Sequence, residues 1–155
     1  MKKKVVFIHY RTGERDGVGL EIEKRVKVFE KLGFEVYLIS GLDNLKRKNA
    51  VNIPLLDLRQ KEIDLLRQTI FQKGDKKEVE VLKRYSTLED KISEQFKKAL
   101  LKIKPDLIYI HNVLSYSYNL PATTGIIKVL DSLKIPTVLV NHDFWFEREK
   151  FLKPK

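Results

Sequence analysis

The feature that most constrains this chain is a repeated change of hydrophobic period. Short apolar, β-branched runs alternate with stretches in which apolar residues recur every three or four positions. Lys4 to Tyr10 (Lys-Val-Val-Phe-Ile-His-Tyr) reads as a buried strand. A polar loop from Arg11 to Asp16 follows, and then Val18, Ile22, Val26, Phe29 and Leu32 recur at helical spacing until Gly33 stops them. Phe34 to Ser40 reads as a second strand, closed by Gly41. Strand, loop, helix and strand in that order form a βαβ unit, which requires a parallel pair.

The alternation continues. Ala50 to Leu56 reads as a short third strand whose Pro54 suits an edge position. Residues 59–72 read as a helix through Ile63, Leu66 and Ile70, broken at Gly74-Asp75. Ser86-Thr87-Leu88-Glu89 matches a capping box, which predicts a helix starting there with Leu88, Ile92, Phe96, Leu100 and Ile103 on one stripe. Past Pro105, Asp106 to His111 reads as a strand, residues 123–134 as a helix capped by Thr123 or Thr124, and Ile135 to His142 as the last strand. The expected fold is α/β, a Rossmann-like doubly wound parallel sheet with helices on both faces and a strand order such as 3-2-1-4-5. Residues 1–155 show no repeat and no linker, so a single domain is expected.

Composition narrows the function classes. With 43% hydrophobic and 34% charged residues the chain is neither collagen-like nor disordered. The absence of cysteine excludes disulfides, thiolate metal sites and cysteine nucleophiles. Only Val5 to Ile8 are apolar between the amino-terminal lysines and His9, too short a run for a secretory signal, and no window approaches a membrane span. A cytoplasmic chain, able to touch an anionic membrane surface, is expected. The net charge of +10 points to anionic partners, phosphorylated substrates or acidic headgroups. The surplus is diffuse and lacks an Arg-rich run with interleaved aromatics, which argues against nucleic acid. Lys outnumbers Arg 23 to 8 and Met occurs once, a balance found in proteins of hot environments.

All three histidines, His9, His111 and His142, fall at the carboxyl ends of expected strands. Ligands of open parallel sheets bind beyond those ends, where the strand order reverses, so the three imidazoles should line one rim. Each alone is as readily a hydrogen-bonded, partly buried residue; together they mark a site. Their spacing matches no metal-ligand signature, even with Asp143 added, and no metal is expected. Gly17-Val18-Gly19 opens the first helix at the same rim, as a phosphate cradle or a plain flexible turn. It is neither the dinucleotide fingerprint nor a Walker A loop. Tyr116 and Asn119, in a run rich in hydroxyl and amide groups after His111-Asn112, suit a polyhydroxylated ligand. No nucleophile elbow and no pair of acid/base carboxylates stands out.

Four segments carry a family resemblance: Asp16-Gly17-Val18-Gly19-Leu20-Glu21, KVFEKLGFEVYLISG, the strand ending in His111-Asn112, and PTVLVNHDFWFER. They resemble the amino-terminal domain of retaining glycosyltransferases of family 4, across nearly the whole chain. The resemblance implies one half of a GT-B fold, in which two Rossmann-like domains face each other across a cleft. The amino-terminal half mainly holds the acceptor and the carboxy-terminal half holds the nucleotide-sugar. Carried over, Gly17, Val18 and Gly19 lie in the loop that approaches the donor diphosphate, with Asp16 at the first of the family's paired glycine positions. His142 faces the transferred sugar as a catalytic residue with Asp143 beside it, and His9, His111, Asn112, Tyr116 and Asn119 lie on the acceptor side. The implied function is transfer of a hexosyl group from a nucleotide-sugar to a sugar acceptor with retention, without metal or cofactor. The donor-binding domain has no counterpart here, so the chain is expected to be inactive without that domain or subunit. The alternative is a non-catalytic α/β module that binds a phosphorylated ligand or a protein partner.

Overall fold

A computed structural model describes residues 2–12, 16–42, 47–73, 78–116 and 118–152. Five strands, β1 (Lys4–His9), β2 (Glu35–Ser40), β3 (Ala50–Asn52), β4 (Leu107–His111) and β5 (Thr137–Val140), form one sheet in the order β3-β2-β1-β4-β5. Every pairing is parallel. Four α-helices accompany them: α1 (Gly17–Lys31), α2 (Lys61–Gln68), α3 (Glu78–Ile103) and α4 (Leu120–Leu133). The chain is therefore an α/β doubly wound parallel sheet, and its order reverses between β1 and β4.

Two apolar layers follow from the period-two alternation of the strands. Val5 and Phe7 of β1, with Val36 and Leu38 of β2, pack on Ile22 and Val26 of α1. Val6 and Ile8, with Ile108 and Ile110 of β4, face the opposite layer, where Ile92, Phe96 and Leu100 of α3 meet Ala122, Ile126 and Val129 of α4. The apolar stripe expected on α3 is thus its buried face. Parity also decides the layer of each rim residue: His9 and His111 fall on the α1 side, and Tyr10 on the other.

Several boundaries differ from the sequence expectation. Helix α3 does not start at Ser86; it runs back to Glu78. Thr87 Oγ1 donates to Lys83 O (2.8 Å), a bond made within a continuous helix, and the Glu89 carboxylate of the expected capping box pairs with Lys128 instead. Helix α4 starts at Leu120 because Asn119 caps it, accepting from Ala122 N at 3.2 Å with Pro121 in its first turn. Thr123 donates instead to Val113 O (2.9 Å). Strand β3 stops at Asn52, since Pro54–Leu56 turn into a single 3-10 turn. Strand β5 ends at Val140, two residues before His142. The break expected at Gly74-Asp75 lies outside the described residues.

After β5 the chain folds back across the sheet end. Trp145 N donates to Ser115 O (2.9 Å), and Phe151 is buried against Phe71, Tyr116 and Tyr118. Phe144, Trp145 and Phe146 remain exposed. Among the described residues, no helix is long and apolar enough to cross a membrane.

Candidate functional site

A cleft of about 500 Å³ opens beyond the carboxyl ends of β1 and β4, where the strand order reverses. One wall is the exit of β1 (His9, Tyr10, Arg11) and the start of α1 (Asp16, Gly17, Val18). Facing it are Asn112, Tyr116, His142 and Asp143, with Leu58 closing one side. Gly41 brings Leu58 there: a methyl group added at Gly41 would sit 2.1 Å from Asp57 N, so only glycine lets the Asp57 turn lie against the end of β2.

The imidazoles converge at this rim. His9 Nδ1 lies 3.0 Å from His111 O. A carbonyl only accepts, so Nδ1 carries the proton of neutral His9 and Nε2 is left as an acceptor. Burial lowers the His9 pKa, which keeps the ring neutral at physiological pH. The His111 ring is fully buried and stacks on His142, with centroids 5.7 Å apart and planes 19° apart. Burial pulls the His111 pKa down to about 4, against the pull of the Glu21 carboxylate. Its Nε2 is buried with no hydrogen-bond partner among the described residues.

His142 is held by both its backbone and its ring. Asn112 sits in the left-handed region (φ 59°), which Asn tolerates better than most residues, and its Oδ1 accepts His142 N at 2.6 Å. The ring Nε2 lies 3.2 Å from Glu21 Oε2 and 3.4 Å from His111 Nδ1. The sequence reading missed Glu21, which looked to strand ends and glycines. Its one signal is placement beside Ile22, at the border of the α1 apolar stripe.

The other expected site residues divide. Asp143 is engaged on both oxygens: Oδ2 accepts from Asn112 Nδ2 (3.3 Å) and Oδ1 from Arg148 Nη2 (3.1 Å). Tyr116 lines the cleft, and Arg148 lies over its ring at 5.7 Å. Gly17 and Val18 line the cleft, with open space where a Gly17 side chain would stand. Gly19 is buried, and its N–H is already taken by Asp16 Oδ1 at 2.7 Å. Asn119 lies away from the cleft, fully buried, its amide donating to Leu55 O (2.8 Å) while its oxygen caps α4. Among the described residues, no cluster of three or more His, Asp or Glu is arranged to hold a metal ion.

Two curated proteins match almost the whole chain. A mannosylglucosylglycerate synthase of Petrotoga mobilis is 24% identical over 151 residues, which are 97% of this chain and 34% of that protein. A mannosylglucosylglycerate synthase of Thermotoga maritima is 32% identical over 151 residues, 96% of this chain and again 34% of the relative. The chain spans about a third of the length of the curated relatives it matches. No family model matches it. Among solved structures, a UDP-GlcNAc 2-epimerase from Methanocaldococcus jannaschii aligns with a TM-score of 0.45 and 16% identity, over 90% of this chain and 31% of that one.

Proposed function

We propose that the chain is the acceptor-side part of a retaining glycosyltransferase of the family 4 type, one half of a GT-B fold, which handles a sugar acceptor and closes over a nucleotide-sugar held by a second half. The observation that carries this reading is the match of nearly all 155 residues to one third of two synthases that build a glycoside. The cleft supports it in kind. Two imidazoles, the Asn112 amide and the Tyr116 phenol are groups that read hydroxyls. The names of the relatives point to the substrates: a mannose nucleotide as donor and glucosylglycerate, a small carboxylate-bearing glycoside, as acceptor.

The chemistry needs little from this half. Cleaving a nucleotide-sugar places charge on a diphosphate, which the Gly17 and Val18 N–H groups at the start of α1 and the Arg11 guanidinium stabilise. The leaving group assists attack on its own face, so retention requires no protein nucleophile. His142 takes a substrate hydroxyl as hydrogen-bond partner, and Asp143 with Arg148 holds the turn that presents it. Half a cleft neither excludes water nor aligns two substrates, so the chain alone should not turn over.

The test has two arms. Calorimetry of the chain with glucosylglycerate should show binding that His9→Ala and His142→Ala each weaken about tenfold. The chain mixed with the donor-binding half of a matched synthase should transfer mannose from its nucleotide, with the anomeric configuration retained by NMR. Absence of both binding and transfer would end the reading.

A further inference from the structure

A second cleft, of about 530 Å³, lies between β3 and the last turns of α3 and shares no described lining residue with the candidate site. Its floor is apolar. Val51, level with Ile39, faces the α3 layer, and Ala99 and Ile103, one turn apart, line the cleft from the helix. Its rim is basic: Lys98 and Lys102 stand one turn apart on α3, and Lys48 precedes β3. Among the described residues the lining carries no carboxylate, and none of the three ammonium groups has an ion-pair partner. The Glu35 carboxylate accepts from the hydroxyl of Tyr37, another lining residue, at 2.7 Å.

The same cleft borders an open sheet edge. Strand β3 is outermost in the sheet and pairs with β2 alone among the described strands. Leu38 N donates to Asn49 O (3.0 Å) and Ile53 N donates to Ser40 O (2.8 Å), so Asn49 and Ile53 turn main-chain groups towards β2. Main-chain groups alternate in direction along a strand, so Ala50 and Asn52 point theirs outward. Ala50 N is closed by Arg47 O at 3.2 Å. The Ala50 carbonyl and both main-chain groups of Asn52 have no protein partner among the described residues. Such a row is a template for another strand.

We propose that this edge binds an extended acidic peptide segment of a protein partner, which joins the sheet beside β3 as a further strand. The open groups of Ala50 and Asn52 supply main-chain hydrogen bonds. Alternate side chains of the added strand fall on the α3 face, where apolar ones meet Val51, Ala99 and Ile103 and acidic ones meet the lysines. Charge selects this occupant. A second copy docked by the same edge would set its three lysines against these with no carboxylate between them. A small anion would meet the ammonium groups but leave the apolar floor and the open main chain uncovered. The proposal is independent of the sugar-handling cleft.

The test titrates the isotope-labelled 155-residue chain with an acetylated, amidated seven-residue peptide of alternating Glu and Val, read by amide NMR. The Asn52 amide should shift and its hydrogen exchange slow, and affinity should fall as salt is raised to about 0.5 M. Lys98→Glu combined with Lys102→Glu should weaken binding about tenfold or more, while Lys24→Glu with Lys27→Glu on the exposed face of α1 should leave it unchanged. Methylating the peptide amides one at a time separates strand pairing from charge attraction, because only one alternate set should matter. No shift at Asn52 with about millimolar peptide, equal binding of a peptide with Lys in place of Glu, or indifference to every methylation would overturn the proposal. So would inorganic phosphate producing the same shifts, or a dimer of the chain alone that protects the Asn52 amide.

Discussion

Asn112 holds His142 by its backbone: the Asn112 side-chain oxygen accepts the His142 amide proton at 2.6 Å while Asn112 itself adopts φ 59°. The residue after β4 therefore does two jobs, turning the chain and fixing the first residues beyond β5. Asn112→Gly keeps the turn and loses the bond, which should cost about 1–2 kcal/mol. Asn112→Ala loses both and should cost about 1 kcal/mol more. Urea midpoints of the two variants separate these contributions, and equal midpoints would show that the φ value carries no strain.

Acid should destabilise the chain through His111. Its folded-state pKa of about 4 lies below the ordinary 6.5, so the unfolded chain binds a proton that the folded chain refuses. The stabilisation is complete above pH 6.5 and is lost as pH falls towards 4, on the order of 3 kcal/mol in total. His9, lowered for the same reason of burial, acts in the same direction. Denaturant titrations between pH 7 and 4 should show a steep slope that His111→Gln flattens. An unchanged slope would mean that carboxylates alone carry the acid response.

Gly41→Ala should be among the most damaging single-methyl changes in the chain. The added carbon would lie 2.1 Å from Asp57 N and 2.7 Å from Asp57 Cα, backbone atoms that cannot swing aside. A loss of about 3 kcal/mol is expected, with weaker acceptor binding because Leu58 shifts at the cleft edge. Thermal melts and calorimetry check the two effects separately.

Lys128 Nζ reaches across from α4 to Glu89 Oε2 of α3 at 2.6 Å, and Glu89 is buried. Burial would raise the Glu89 pKa, and the bonds from Lys128 and Thr124 more than offset it, so the carboxyl sits below its ordinary value. This contribution is present above the ordinary Glu range and is lost as pH falls through the lowered value. Lys128→Met should lower the urea midpoint at neutral pH and matter less in acid. The double variant Lys128→Met with Glu89→Gln should recover part of the loss.

The sheet was legible because the period of the apolar residues changes sharply at each element, and a βαβ start leaves few topologies open. Helix α3 was misjudged at its start because Ser86 to Glu89 satisfies a local rule that the packed helix does not need. Strand β5 is two residues shorter at each end than the apolar text suggests, and at its carboxyl end the ladder stops where Asn112 takes over the next amide. Clustering of the three imidazoles followed from topology alone. Glu21 did not, because a carboxylate one turn into a helix gains meaning only when the strand ends beside it are placed.

Ile8 pairs with Ile110, so His9 and His111 stand level at the ends of adjacent strands and on the same side. Deleting a single residue within β4 would send the second imidazole into the opposite layer and dissolve the pair, though the strand itself could still form. A length change that keeps the two imidazoles together is therefore one made in the connecting loops, outside the paired strands.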